Sequence, residues 1–360
     1  VGSPFGIDLR IHGTFVVLLG WIVLSHLVAG HGLSAAAEGL ALVVTVFGVV
    51  VLHELGHALV ARRFGIRTRD ITLLPIGGVA RLERMPTDPR QEFLVALAGP
   101  LVNVALAALA FAVILVAQAP WWPGRLAVVG GPLLAKFLWF NVTLAVFNLL
   151  PAFPMDGGRV LRALLSMRTD RLRATDIAAR VGQWMALGFG LLGLFGHPML
   201  VFIAFFVWIG AAEEARLAHV TVALDSVRVG DAMVTAFETL PANASVGEGL
   251  QRVIRTTQRD FPVHDGARLI GFVSAAELLV AAERGDARSA IGSVVRPLDE
   301  SAAPNELVTV ALERLEGSGA SVLPVLDAAR LVGLLVPENV VELARVRERQ
   351  ALHAPVLHAS

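Results

Sequence analysis

Long apolar runs separated by short arginine-rich stretches fill the first 220 residues, and then the pattern changes. Six runs stand out, at residues 11–29, 39–64, 91–118, 132–150, 177–195 and 198–216. As helices, each is long enough to cross about 30 Å of hydrocarbon. The first is read as a retained helix rather than a cleaved leader, since Arg10 alone would supply a charged n-region and the chemistry begins in the second run. Gly196-His197-Pro198 joins the last two as a tight turn. Beyond residue 220, apolar positions alternate in short groups between polar turns, as in a soluble α/β region. The expected division is a six-helix membrane domain over 1–220, a second region over 221–345 and a loose tail over 346–360.

The arginines orient the spans. Arg62, Arg63, Arg67, Arg69, Arg81, Arg84 and Arg90 follow the second run, and Arg159, Arg162, Arg168, Arg171, Arg173 and Arg180 follow the fourth. The opposite loops offer little beyond Arg125, next to an aromatic interfacial turn at Pro120-Trp121-Trp122-Pro123. Positive charge favours the cytoplasmic side, so both termini are expected there, as six spans also require.

Composition agrees with this class and narrows the chemistry. Of 360 residues 55% are hydrophobic and 17% charged, and the mean hydropathy is +0.68, which marks a polytopic membrane protein. The formal net charge is zero, so there is no basic footprint for nucleic acid. With no cysteine, any zinc must be held by histidine and carboxylate.

Within the second run lies His53-Glu54-Leu55-Gly56-His57. On a helix, residues i and i+4 share a face, so both imidazoles reach one metal ion, while Glu54 lies close enough to take a proton from water. Ionisable groups at membrane depth are expensive and mark function. Arg62 follows His57 by about 8 Å of helix rise, which places the site in the membrane near the cytoplasmic face. A catalytic zinc takes three protein ligands. Asp156, after the broken stretch Pro151-Ala152-Phe153-Pro154-Met155, reads either as the third ligand or as the N-cap of a short amphipathic helix; beside the histidine pair the ligand is favoured. Gly56 and Gly99 permit close helix approach, and Asn103 is a polar group that needs a partner, either as packing glue or as a substrate contact. Residues 71–74 and 79–82 flank Pro75-Ile76-Gly77-Gly78, a hairpin with a glycine turn. Its edge, at Gly77 and Gly78, is positioned to pair with an unfolded peptide.

The region after 220 contains a repeat. Phe261-Pro262-Val263-His264-Asp265-Gly266-Ala267-Arg268-Leu269-Ile270-Gly271-Phe272-Val273 matches Leu323-Pro324-Val325-Leu326-Asp327-Ala328-Ala329-Arg330-Leu331-Val332-Gly333-Leu334-Leu335. Each copy reads strand, turn, strand and helix, preceded by another helix over 246–258 or 306–317. The copies are set at about 226–284 and 288–345, packed on one another.

Together, His53-Glu54-Leu55-Gly56-His57, Gly99-Pro100-Leu101-Val102-Asn103 and Asn148-Leu149-Leu150-Pro151-Ala152-Phe153-Pro154-Met155-Asp156-Gly157 resemble the site-2 protease family of intramembrane zinc metalloproteases, and the repeat resembles a tandem CBS domain pair. The resemblance spans about residues 1–345. It implies a polytopic α-helical membrane protein with six transmembrane helices, a short membrane-associated β-hairpin at 66–85 and a cytoplasmic α/β tandem CBS domain. It implies one Zn2+ per chain on His53, His57 and Asp156, Glu54 as general base, and Asn148 holding substrate or the oxyanion. The expected substrates are transmembrane segments of membrane-bound regulatory proteins, cleaved in a prokaryotic plasma membrane. CBS pairs commonly associate, so a homodimer is expected.

CBS modules that bind adenine nucleotides carry Ser/Thr-x-x-Asp after the second strand. Here the positions read Ser274-Ala275-Ala276-Glu277 and Val336-Pro337-Glu338-Asn339, which leaves Glu277 and Asn339 as the nucleotide-binding candidates. The alternative function is a CBS-gated metal or ion transporter, with His, Glu and Asp lining an ion path. Against it, only one broken helix is evident, and transporters commonly repeat such breaks.

Overall fold

The computed structural model describes residues 2, 6–75, 77–83, 85–122, 132–266, 268–298, 300–318 and 320–353. Ile76, Arg84, Pro123, Arg125 and Ala267 from the patterns above lie outside the described residues, as does the end of the expected tail, 354–360. The chain divides into two compact units, Val1–Arg216 and Leu217–Ser360.

The first unit runs β1 (Asp8–Ile11), α1 (Gly13–Val28), α2 (Gly32–Arg63), β2 (Thr68–Leu74), β3 (Gly77–Leu82), α3 (Pro89–Val116), α4 (Leu133–Asn148), α5 (Asp156–Ser166), α6 (Arg171–Phe195) and the start of α7 (Pro198–Leu224). Among the described residues four helices, α2, α3, α6 and α7, are long and apolar enough to cross a membrane. The other two apolar runs form shorter helices of 16 residues each, α1 and α4, about 24 Å long. Among the described residues, then, four of the six expected spans reach full length and two are shorter apolar helices. The run at 132–150 is cut short because the helix ends ahead of Pro151, and Gly30, at φ +74°, closes α1.

Small residues let the helices of this unit approach closely. Gly56 of α2 faces α3 so tightly that an added Cβ would lie 2.9 Å from Ala98 O, and Ala58, Ala61, Ala96 and Ala98 are buried beside it. Asp88 caps α3, its side chain accepting from Arg90 N, with Pro89 at the first turn.

The hairpin at 68–82 is antiparallel, and β1 adds to it in parallel, Asp8 opposite Asp70 and Ile11 opposite Leu73. Among the described residues, the order β1-β2-β3 fills both sides of β2 and leaves the outer edge of β3 unpaired. The sheet rests on α2 through Ile71 and Ala80 against Leu55 and Ala58. Gly78 makes the approach possible, since a Cβ there would stand 2.9 Å from Val50 Cγ1 and 3.0 Å from Glu54 Cγ.

The turn between α4 and α5 is buried at Ala152 and Phe153, and the peptide bond before Pro154 is cis. Gly157 folds back on it; a Cβ there would meet Leu150 O at 2.2 Å. Along α5, Arg162 donates from Nε and Nη2 to Glu92 Oε1 of α3 at 2.7 and 2.6 Å, and from Nη1 to Glu214 Oε1 of α7 at 2.6 Å. Arg162 and Glu92 are 4% and 3% exposed.

The second unit continues with α8 (Val229–Ala232), β4 (Leu240–Pro241), α9 (Val246–Arg255), β5 (Asp260–Asp265), β6 (Arg268–Ser274), α10 (Ala275–Glu283), a 3-10 turn (Ile291–Ser293), β7 (Arg296–Pro297), α11 (Val308–Ser318), β8 (Leu323–Asp327), β9 (Arg330–Leu335) and α12 (Pro337–His353). The repeat extends to its irregularities. The β5–β6 ladder shifts register between Val263 and His264, and β8–β9 shifts at the matching Val325 and Leu326. Residues 346–353, expected to be loose, are helical and prolong α12.

The copies also exchange their lead-in segments. Val227 and Val229 are buried with Val308, Val325 and Leu335 of the second copy, and Val229 N donates to Glu306 O. Reciprocally, Ile291 is buried with Val246, Phe261 and Val273 of the first, and Val246 N donates to Ser289 O.

Candidate metal centre

The structure brings His53, His57 and Asp156 to one point, all three buried. His53 Nε2 lies 3.1 Å from His57 Nε2 and 3.1 Å from Asp156 Oδ2, and His57 Nε2 lies 3.2 Å from the same oxygen. The other nitrogen of each ring shows what these atoms are. His57 Nδ1 is 2.7 Å from Val95 O, a carbonyl that only accepts, so Nδ1 carries the proton and Nε2 a lone pair. His53 Nδ1 is 2.5 Å from Asn103 Oδ1, and Asn103 Nδ2 donates to Asn141 Oδ1 at 3.0 Å. The amide order of Asn103 follows from that second bond, which again places the proton of His53 on Nδ1.

With both rings neutral, two ring lone pairs and a carboxylate oxygen thus converge. Three acceptors this close repel unless a cation joins them. A tetrahedral zinc with bonds of about 2.0–2.1 Å keeps its ligand atoms about 3.3 Å apart, close to the separations here. The donor set of two imidazoles and one carboxylate is one that zinc takes in catalytic sites, so the residues present fit the metal.

The N-cap reading of Asp156 does not hold. Met155 stands at the cap without a side-chain bond, and Asp156 opens α5 with its carboxylate turned toward the histidines. Asn103 is fully buried behind His53, and the cleft is lined without it. Between the packing and substrate-contact readings of Asn103, its position holds a ring nitrogen of His53 on the side away from the His-Asp cluster, where an orienting partner would sit.

Glu54, Asn148, Gly77 and Gly78 line one cleft together with the His-Asp cluster. Its remaining walls are mostly apolar, with Phe47, Phe140 and Phe147 among them. Gly77, Gly78, Val79 and Ala80 of β3 form one side.

Comparison with known proteins identifies what this arrangement belongs to. The profile of peptidase family M50 matches residues 40–121 and 126–189. The zinc metalloprotease MJ0392 of Methanocaldococcus jannaschii is 34% identical over 272 residues, 74% of this chain and 75% of its own length. Rip3 of Mycobacterium tuberculosis is 34% identical over 321 residues, 82% of this chain and 78% of its own. The chain belongs to peptidase family M50. A site-2 protease structure from M. jannaschii aligns at 37% identity over 59% of this chain and 92% of its own, with a TM-score of 0.43. The CBS domain profile matches residues 229–284. This M50 protein is a zinc metalloprotease of the site-2 type with a CBS domain, and membership decides against the transporter alternative.

Three contributors to the M50 site escaped the sequence reading. A Cβ on Gly99 would lie 2.2 Å from His57 Nε2 and 2.6 Å from His53 Nε2, so the glycine clears the metal position itself and not only a helix contact. Val95 acts through its backbone, which no side-chain pattern reveals. Arg159 lines the cleft; its place one turn after Asp156 was the available signal.

In the CBS unit the two nucleotide candidates differ. Glu277 closes a capping box, with Oε2 accepting from Ser274 N at 2.7 Å, while Oε1 accepts from Arg296 Nε at 2.7 Å. Both of its oxygens are engaged. Asn339 lines a cleft with Thr257, Asp260 and Ser321.

Proposed function

We propose that this chain is an intramembrane protease that hydrolyses peptide bonds within or next to the transmembrane segments of membrane-bound regulatory proteins. The observation that carries the reading is the convergence of His53 Nε2, His57 Nε2 and Asp156 Oδ2 at an apolar cleft bordered by an unpaired strand edge. A soluble substrate needs no apolar walls, whereas a lipid-embedded one does. We place six helices across the membrane, the two short ones included, with both termini cytoplasmic, as the arginine distribution supports. The domain limits follow as 1–220 for the protease and 221–345 for a CBS pair.

His53, His57 and Asp156 would hold the zinc, which supplies Lewis acidity to the reacting carbonyl and water. A transmembrane helix hides its carbonyls in its own hydrogen bonds, so it must first unwind. The edge of β3 offers backbone partners to the extended form, and Gly77 and Gly78 keep that edge free of side chains beside Glu54. Glu54 accepts the proton of the attacking water and returns it to the leaving amine. Asn148, on the same cleft, donates to the carbonyl oxygen as it gains charge. The CBS pair regulates this activity, with the Asn339 cleft as the adenine-nucleotide site, since Glu277 is already paired.

The test is co-expression with a panel of tagged single-span membrane proteins. Wild type yields shortened products, and Glu54→Gln yields none while keeping one zinc per chain. Equal products from both chains overturn the assignment of Glu54.

A further inference from the structure

Of Arg159, Arg162 and Arg171, two are matched by carboxylates. Arg162 has Glu92 and Glu214, and Arg171 has Glu92 at 3.4 Å and Pro86 O at 2.8 Å. Arg159 has neither. It is half-buried, it lines the catalytic cleft, and among the described residues no hydrogen bond or ion pair engages it. The two carboxylates in that cleft are Glu54 and Asp156. Both feel the charge of Arg159, yet neither lies within ion-pair distance, and both have work assigned at the metal.

A guanidinium in an apolar cleft loses hydration as a ligand fills the space, and that loss is unfavourable unless the ligand brings an anion. Carboxylates match the guanidinium fork with two parallel hydrogen bonds. Arg159 stands one helical turn, about 5 Å, beyond Asp156. An extended peptide advances about 3.3 Å per residue, so that turn and the length of the arginine side chain reach substrate side chains within about three residues of the scissile bond.

We propose that Arg159 is a specificity-determining residue that selects segments bearing Asp or Glu within about three residues of the cleaved bond. The proposal rests on the protease reading above and names the substrate class of that same cleft. Arg159 touches the substrate side chain and takes no part in the proton transfers.

The experiment uses the full-length chain in membranes with a library of tagged single-span segments, each a Leu/Ala span interrupted by a Gly-Ser break with randomised flanking residues. Cleavage sites are read by mass spectrometry, and zinc content is measured for every variant. At one flanking position wild type prefers Glu over Gln by on the order of 10- to 100-fold. Arg159→Gln levels the two, Arg159→Lys keeps a weaker preference of the same sign, and Arg159→Glu turns the preference toward Lys and Arg. Equal cleavage of Glu and Gln segments by wild type overturns the proposal. So does an Arg159→Gln chain that is uniformly slower with the preference intact. Absence of any Glu54-dependent product from wild type is a different failure, because it overturns the protease reading itself.

Discussion

The backbone of Gly99 passes so near His57 that an added Cβ would stand 2.2 Å from Nε2. That atom is one of the three that would hold zinc, and His53 Nε2 is only 2.6 Å from the same point. Neither ring has room to withdraw, because each is tied by Nδ1 to α3. Gly99→Ala should therefore leave the helices in place and empty the metal site. Zinc content near zero with unchanged far-UV circular dichroism is the expected result. Full zinc occupancy in the variant contradicts the geometry.

Asn103 would act on the metal through His53, whose Nδ1 it accepts from. Replacing it by Leu removes the acceptor that holds the Nδ1 proton and leaves that donor buried. Zinc affinity should fall by on the order of 10- to 100-fold, read by competition with a chelator of known affinity. Asn103→Asp keeps an acceptor at the same position and should retain tighter binding than the Leu variant.

The Arg162–Glu92 pair ties α5, which carries Asp156, to α3, which orients both histidines. Removing Arg162 leaves the buried Glu92 with Arg171 alone, at 3.4 Å, and takes the partner of Glu214. Arg162→Met should destabilise the fold by about 3–5 kcal/mol, measured as a shift in thermal unfolding in detergent. The double variant Arg162→Met with Glu92→Gln should recover part of that loss, since the charge then left without Arg162 is only that of the less buried Glu214.

Two glycines at matching places in the CBS repeat provide an internal control. A Cβ on Gly271 would meet Arg296 O at 2.0 Å, a backbone atom, whereas one on Gly333 would meet Met233 Sδ at 2.5 Å, the end of a flexible side chain. Gly271→Ala should cost about 3 kcal/mol and Gly333→Ala about 1 kcal/mol, although the local sequences are nearly the same. Equal losses in chemical denaturation would show that the backbone at Arg296 yields as easily as a methionine.

The legible parts of the site were those written in local spacing. His53 and His57 declare a shared face through their separation of four, and Asp156 stood out as a lone carboxylate after a broken helix. The role of Asn103 was hidden because its partner, His53, lies 50 residues away. Arg159 was hidden among arginines whose charges served to orient the spans. In the fold, hydropathy located the apolar runs but not where helices stop; Leu149 and Leu150 are apolar yet fall after α4 has ended. Strand β1 is four residues long and pairs with residues some 60 positions onward, a contact with no local signature. The repeat was legible as two like stretches, but the exchange of lead-in segments was not, since Val229 and Ile291 look alike whichever core they enter.

That exchange has a consequence for how the CBS unit comes apart. Each copy borrows a buried segment from the chain ahead of the other, so neither owns a complete interior. A fragment ending between residues 284 and 288 keeps Val227 and Val229 but lacks the core they fill, and it lacks Ile291 from its own. Deleting one copy, swapping it for a copy from a relative or clipping the chain between them disturbs two interiors at once. The two halves should therefore unfold together, and whatever loosens one interior should be felt in the other.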